Sequence, residues 1–198
     1  ENKPETERRC SLSQNEDVIK VENLTKVFNK TLVAVDHINF NVRKGEIIGI
    51  SGLVGAGKTE LCKTLFGAMK QSQGEIRLSG KPLKITNPFS AVKQGLALVP
   101  EERRKEGILV EDPVYANLSA TSLDKYSKKF SFIDKNAEKA AAKEIIADLG
   151  IKTPSENQLV KLLSGGNQRK VAVGKWLISD AEIYILDEPT KGVDVGAK

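Results

Sequence analysis

Residues 46–65 read EIIGISGLVGAGKTELCKTL, and the rest of the chain can be placed around them. The apolar run 47–50 has the length of a buried strand, a glycine-rich turn follows at 52–59, and a helical pattern begins directly after it. Gly52, Gly55 and Gly57 let the backbone curl round an anion, because a residue without Cβ tolerates positive φ and close approach. Successive N–H groups, carried by Gly52, Leu53, Val54, Gly55, Ala56, Gly57, Lys58, Thr59 and Glu60, then form a nest at the positive end of the helix. Lys58 reaches β- and γ-phosphates as a point charge, and the Thr59 hydroxyl can ligate Mg²⁺. The alternative is a glycine-rich strand-to-helix turn with an incidental lysine; the expected strand before it and helix after it favour a triphosphate cradle. A cradle hydrolyses nothing alone, so control of Mg²⁺, a group that orients water and charge stabilisation must come from elsewhere.

Residues 182–189, EIYILDEP, suit the first two needs. The run 183–186 is apolar on both faces, as in a strand buried within a parallel sheet. Asp187 ends it at the carboxyl edge, where open α/β folds bind ligands, and can hold Mg²⁺ through water. Glu188 is placed to orient the attacking water or accept its proton. Adjacent carboxylates can also merely solvate a strand end; a phosphate cradle upstream at a domain-sized separation argues for chemistry. A second anion site is offered by residues 163–170, LSGGNQRK, where the Ser164 hydroxyl, the Gly165 and Gly166 amides and neighbouring Asn167 open a helix. Its alternative is an ordinary serine N-cap.

The chain of 198 residues is long enough for one domain with subdomains. A net charge of +5 without a dense basic run gives no sign of nucleic acid as a partner. Cys10 and Cys62 are too few for a disulfide framework and read as reduced thiols of a cytosolic protein. No stretch reaches the length of a membrane span, so any membrane role is expected to be peripheral.

Residues 1–17 read as a polar linker or tail, and residues 18–198 as the folded domain. Alternation over 18–24 and 32–42 predicts an antiparallel sheet with Phe28 in the bend, and 75–78 with 81–85 predicts a further hairpin. His37, the sole histidine, has no second ligand near it in sequence and reads as a strand-face or surface residue. Asn87-Pro88 caps a short helix closed by Gly95, and 96–99 is a short strand ending at Pro100. From 114 to 162 the composition shifts to helix formers, with Ala141, Ile145, Ile146 and Leu149 on one helical face and Gly150 as its stop. This block reads as a helical insertion in an α/β core.

GLVGAGKT, LSGGNQ and YILDEP, in this order and spacing, resemble the nucleotide-binding domain of ABC transporters over residues 18–198. VPEERRKEG and DEPTKGVDVGAK extend the resemblance to the second ATPase half of monosaccharide importers of the ribose and galactose type, which would make residues 1–17 the inter-domain linker. The resemblance implies an α/β fold: a P-loop NTPase core with an antiparallel β subdomain and an inserted helical subdomain at about 114–162, truncated at the C-terminus. It implies ATP and Mg²⁺ as ligands, and a head-to-tail second ATPase domain whose nucleotide Ser164 and Gly166 would serve. Membrane-spanning permease subunits and, indirectly, a sugar-binding protein would be further partners, with the chain on the inner face of the membrane. Phe28 falls where the family stacks an aromatic on adenine, with a core role as the alternative. Asp194 would belong to the loop through which the two copies communicate.

Two departures qualify this reading. Where most such domains carry a glutamine that senses Mg²⁺, this sequence has Glu101, an anionic group that can still bind metal. The family's switch histidine belongs to a strand beyond Asp194 that the sequence does not reach, so the chain as it stands is expected to bind nucleotide but turn it over weakly or not at all. Two alternatives to a sugar-importing ATPase stay open: a non-hydrolytic half that supports a catalytic partner, and a soluble ABC ATPase.

Overall fold

In the computed structural model, residues 17–29, 31–128 and 132–189 are described, so Cys10, Asp194 and nearly all of the expected linker lie outside them. The chain divides into two units, the first ending at Thr86 and the second beginning at Asn87.

The first unit is built on the predicted hairpins. β1 (Asp17–Phe28) pairs antiparallel with β2 (Leu32–Arg43) on one side and with β3 (Gln73–Leu78) on the other, and β4 (Lys81–Pro82) closes the far edge. Alternation puts Ile19, Val21, Val35 and Ile76 in the core, with Leu24 fully buried beside a break in the β1–β2 register. His37 sits in that irregular stretch at φ +47, its side chain exposed beside Asp36, as expected of a surface residue. α1 (Lys58–Leu65) packs on β1 and β2 and buries Leu61 and Leu65.

The run 47–50 departs from expectation. It pairs with no strand among the described residues, and Ile47 is 96% exposed. Apolar content makes a strand only where a neighbour completes its ladder, and in the first unit the chain leaves edge strand β2 through a turn at Gly45 without folding back on it.

In the second unit, β5 (Leu96–Val99) and β6 (Ile183–Leu186) pair in parallel, Leu96 opposite Ile183 through Val99 opposite Leu186. All of β5 is buried, but β6 alternates, with Tyr184 and Leu186 exposed, which corrects the expectation of a strand covered on both faces. β6 has a neighbour on one side only in its two-stranded sheet. α2 (Pro88–Lys93) opens on the predicted cap: Ser90 N–H donates to Asn87 Oδ1 at 2.9 Å, and Asn87 N–H donates to Ser90 Oγ at 3.3 Å.

α3 (Val114–Ser119) and α4 (Lys135–Asp148) both pack on α5 (Gly165–Ile178). Val114, Leu118, Ala142, Val160, Val171 and Ala172 form the centre of this core, with Ile145, Ile146 and Leu149 packed against it. On α4 the fully buried alanine is Ala142, not Ala141, one position round the predicted face. Gly174 lies where the three helices meet: a Cβ there would stand 2.8 Å from both Ile145 Cγ2 and Leu118 Cδ2. No helix among the described residues is long and apolar enough to cross a membrane.

Lys175 is turned into this unit. Its ammonium donates to the Gly107 carbonyl at 2.6 Å and lies 5.0 Å from the Trp176 ring centroid, and burial pushes its pKa down from 10.5 to about 8. Below that value folded and unfolded chains both hold the proton, and the burial penalty is present in full. Between it and the unfolded value only the unfolded chain keeps the proton, so stability from this site rises with pH, by roughly 3 kcal/mol over the interval. Lys175→Met is therefore expected to gain less stability than the unsubstituted chain between pH 7.5 and pH 10 in urea titrations; identical gains would show that the ammonium is not withdrawn from water.

Candidate functional site

The glycine-rich turn is the first component. Ala56 N–H donates to the Leu53 carbonyl at 3.1 Å, making a tight turn, and Gly55 and Gly57 both have φ +83. That left-handed conformation is natural for glycine and costs roughly 1–2 kcal/mol per residue in others. Gly57 is also the N-cap of α1, and its carbonyl accepts from Leu61 N–H at 2.8 Å. A Cβ on Gly57 would lie 1.9 Å from the Ala34 carbonyl oxygen of β2, so only glycine lets helix and sheet approach this closely. At Gly55 a Cβ would meet nothing within 4 Å. The first amides of a helix have no acceptor within it, and here α1 presents Lys58, Thr59 and Glu60 at that end.

Lys58 Nζ donates to the carbonyls of Gly52 at 2.8 Å and Leu53 at 3.3 Å, holding the amine over the turn. Leu53 and Val54 are exposed, Val54 completely, which suits positions that contribute backbone alone. Thr59 is half-buried in the first turn of α1. Phe28 ends β1 half-buried, with the Lys26 ammonium 4.9 Å from its ring centroid. It is not a core residue, and one face of the ring already attracts a cation.

The second unit carries the acidic pair and the serine-capped helix. Asp187 N–H donates to the Val99 carbonyl at 2.9 Å, which fixes the aspartate at the carboxyl ends of β5 and β6 with 4% of it exposed. Glu188 follows at φ +46, a strained backbone for a residue with a Cβ. Glu101 is half-buried at the bend after β5, beyond Pro100, and its carbonyl accepts from Arg103 N–H at 3.1 Å in the wide turn over Arg103–Gly107.

Ser164 is the N-cap of α5. Its Oγ accepts from Asn167 N–H at 3.4 Å and from Asn167 Nδ2 at 3.0 Å, while Asn167 Oδ1 accepts from Lys152 N–H at 2.9 Å. The cap is exposed, and a Cβ on Gly166 would meet nothing within 4 Å, so Gly166 faces no packed neighbour that would bar an approaching anion.

Sequence reasoning passed over two side chains that organise this end of the unit. Gln168 is fully buried and donates from Nε2 to the carbonyls of Val160 at 3.2 Å and Leu163 at 3.1 Å, while its Oε1 accepts from Arg104 Nε at 2.9 Å. Arg169 is buried and donates from Nη1 to the Glu188 carbonyl at 2.9 Å. Their signal was helical spacing: Gln168 and Arg169 share a stripe with Val171, Ala172 and Trp176, all of them buried.

Over residues 35–191 the chain matches the family model described as ABC transporter. It is 46% identical over 164 residues to the ribose import ATP-binding protein RbsA of Clostridium tetani, covering 83% of this chain and 32% of that protein. With the xylose import ATP-binding protein XylG of Thermoanaerobacter pseudethanolicus it shares 44% identity over 194 residues, covering 96% of this chain and 38% of the relative. The chain thus spans about a third of the length of these curated relatives. The fold is similar to the crystal structure of a nucleotide-free ATP-binding cassette from an ABC transporter, with TM-score 0.76 and 23% identity over 91% of this chain and 72% of that one. It is similar also to the dimeric post-hydrolysis cassette MJ0796 bound to ADP and Pi, with TM-score 0.74 and 20% identity over 90% and 77% of the two chains.

Proposed function

Since this chain belongs to the ABC transporter family, as an ATP-binding domain related to those of ribose and xylose importers, we propose that it hydrolyses ATP to drive the import of a monosaccharide. The observation that carries this is the glycine-rich turn at the start of α1, where Gly55 and Gly57 are both left-handed and the Lys58 ammonium is held over the turn. Backbone amides of residues 52–60 would hold the phosphates, and Lys58 would exchange the Gly52 and Leu53 carbonyls for phosphate oxygens.

The Thr59 hydroxyl and the Asp187 carboxylate are hard oxygen donors that fit Mg²⁺, with Glu101 as a further anionic candidate; among the described residues no group of three His, Cys, Asp or Glu side chains is placed to hold a metal. Mg²⁺, when bound, neutralises charge on the phosphates. Glu188 would take the proton of the attacking water, and Phe28 would stack on the base in place of its contact with Lys26.

The exposed Ser164 cap, with Gly165, Gly166 and Asn167, would close over the nucleotide of a second ATPase domain lying head to tail with this one. We further propose that the chain is the second half of a two-domain protein, working at the inner membrane face with permease subunits and indirectly with a sugar-binding protein. Glu101 in place of the usual glutamine favours one rival, a half that binds nucleotide without hydrolysing it.

The two are separated by Glu188→Gln, with the companion half disabled, in the full-length protein that carries this chain. Turnover is expected to fall at least about 100-fold, the scale of a lost general base, with ATP affinity within a few-fold. No turnover before the substitution, with the companion half disabled, would favour the non-hydrolytic half, and unchanged turnover after it would remove Glu188 as the base.

A further inference from the structure

Glu188 has a backbone conformation that a residue with a Cβ keeps only when its surroundings impose it. One anchor is visible. Arg169, 6% exposed, reaches from the first turns of α5 to donate to the Glu188 carbonyl at 2.9 Å, a charge-assisted bond of the stronger kind. The guanidinium holds this position against two opposing effects: burial, and the nearby charge of Arg103, both of which push its pKa below the usual arginine value.

The residue before it, Gln168, ties the same stretch of helix to the loop that leads into Ser164 and, through Arg104, to the wide turn after Glu101. The start of α5 is therefore a junction. Its first residues carry the exposed Ser164 cap, its second turn grips the peptide of Glu188, and its buried glutamine fixes the helix to the segment that follows β5.

We propose that Arg169 is the positioning residue for Glu188: by holding the carbonyl of that strained peptide it sets the orientation of the carboxylate and makes it depend on the placement of α5. This rests on the reading of Glu188 as the base. Occupation of the Ser164 end of the helix would then be felt at Glu188 of the same chain, through one side chain and no intervening loop.

The test compares Arg169→Gln, Arg169→Lys, Glu188→Gln and the double variant Arg169→Gln/Glu188→Gln in the full-length protein, with turnover and ATP affinity measured separately. Arg169→Gln is expected to lower kcat about tenfold, with the Kd for ATP within twofold. Arg169→Lys keeps one charged donor and is expected to lose only two- to fivefold. The double variant is expected to be no slower than Glu188→Gln alone, because positioning matters only while the carboxylate is there.

Normal kcat in Arg169→Gln, or a further tenfold loss in the double variant, overturns the inference. If Arg169→Gln fails to fold, Arg169→Lys decides: a partial loss of kcat at unchanged Kd supports the role, and a normal kcat overturns it. Turnover that survives in Glu188→Gln removes both the base and its anchor, whereas turnover lost there but normal in the Arg169 variants removes the anchor alone.

Discussion

Alanine at Gly57 is expected to destabilise the protein by about 2–5 kcal/mol, a large share of the roughly 5–15 kcal/mol that holds a typical domain together. Two effects add. The backbone at φ +83 is left-handed, which for a residue with a Cβ costs about 1–2 kcal/mol. The new methyl would then stand 1.9 Å from the Ala34 carbonyl oxygen and 3.1 Å from its carbon. Neither is the tip of a flexible side chain, so α1 must lift from β2, and overpacking of that kind costs about 1–3 kcal/mol. Gly55 supplies the control: it has the same φ, but its Cβ would enter open space, so Gly55→Ala should cost only the backbone part, about 1–2 kcal/mol. Urea denaturation of the two variants measures the difference. Equal losses would mean that the contact of helix and sheet at Ala34 is not as close as described.

Lys58→Ala is expected to weaken ATP binding by about 10- to 100-fold. A hydrogen bond from a charged group contributes about 1.5–3 kcal/mol, and about 1.4 kcal/mol is tenfold in affinity. The effect should fall on binding and hardly on folding, because the amine's partners at Gly52 and Leu53 lie in an exposed turn where water can replace it. Calorimetry with ATP reads the first and thermal unfolding the second. Equal affinity in both proteins would remove Lys58 from the phosphate site.

What could be read ahead of the structure follows from how local each cause is. The hairpin of β1 and β2 and the Asn87 cap depend on neighbours a few residues apart, and both formed, except that Phe28, expected in the bend, is the last residue of β1 and pairs with Leu32. The Ser164 cap did so for the same reason. The strand expected at 47–50 was inferred from apolar length alone, which does not supply a ladder partner, and among the described residues it has none. Both faces of β6 looked buried by the same criterion, yet the face that carries Tyr184 and Leu186 is exposed.

Arg169 failed differently. A charged residue on a helix is ordinarily assigned to solvent, and only its spacing from Ala172 and Trp176 gave away that it points inward. Its bond to Glu188 joins positions nineteen residues apart, and no local rule anticipates that pairing. The glycines of the turn were legible as a class, but their inequality was not: Gly57 meets Ala34 and Gly55 meets nothing.

The missing side chain at Gly174 has a mechanical consequence. With Leu118 of α3 and Ile145 of α4 seated against α5 at Gly174, sliding of either helix along α5 would carry a methyl group out of the space that the glycine leaves. A displacement imposed on α3 or α4 would therefore press first on α5, the helix whose N-terminus Ser164 caps.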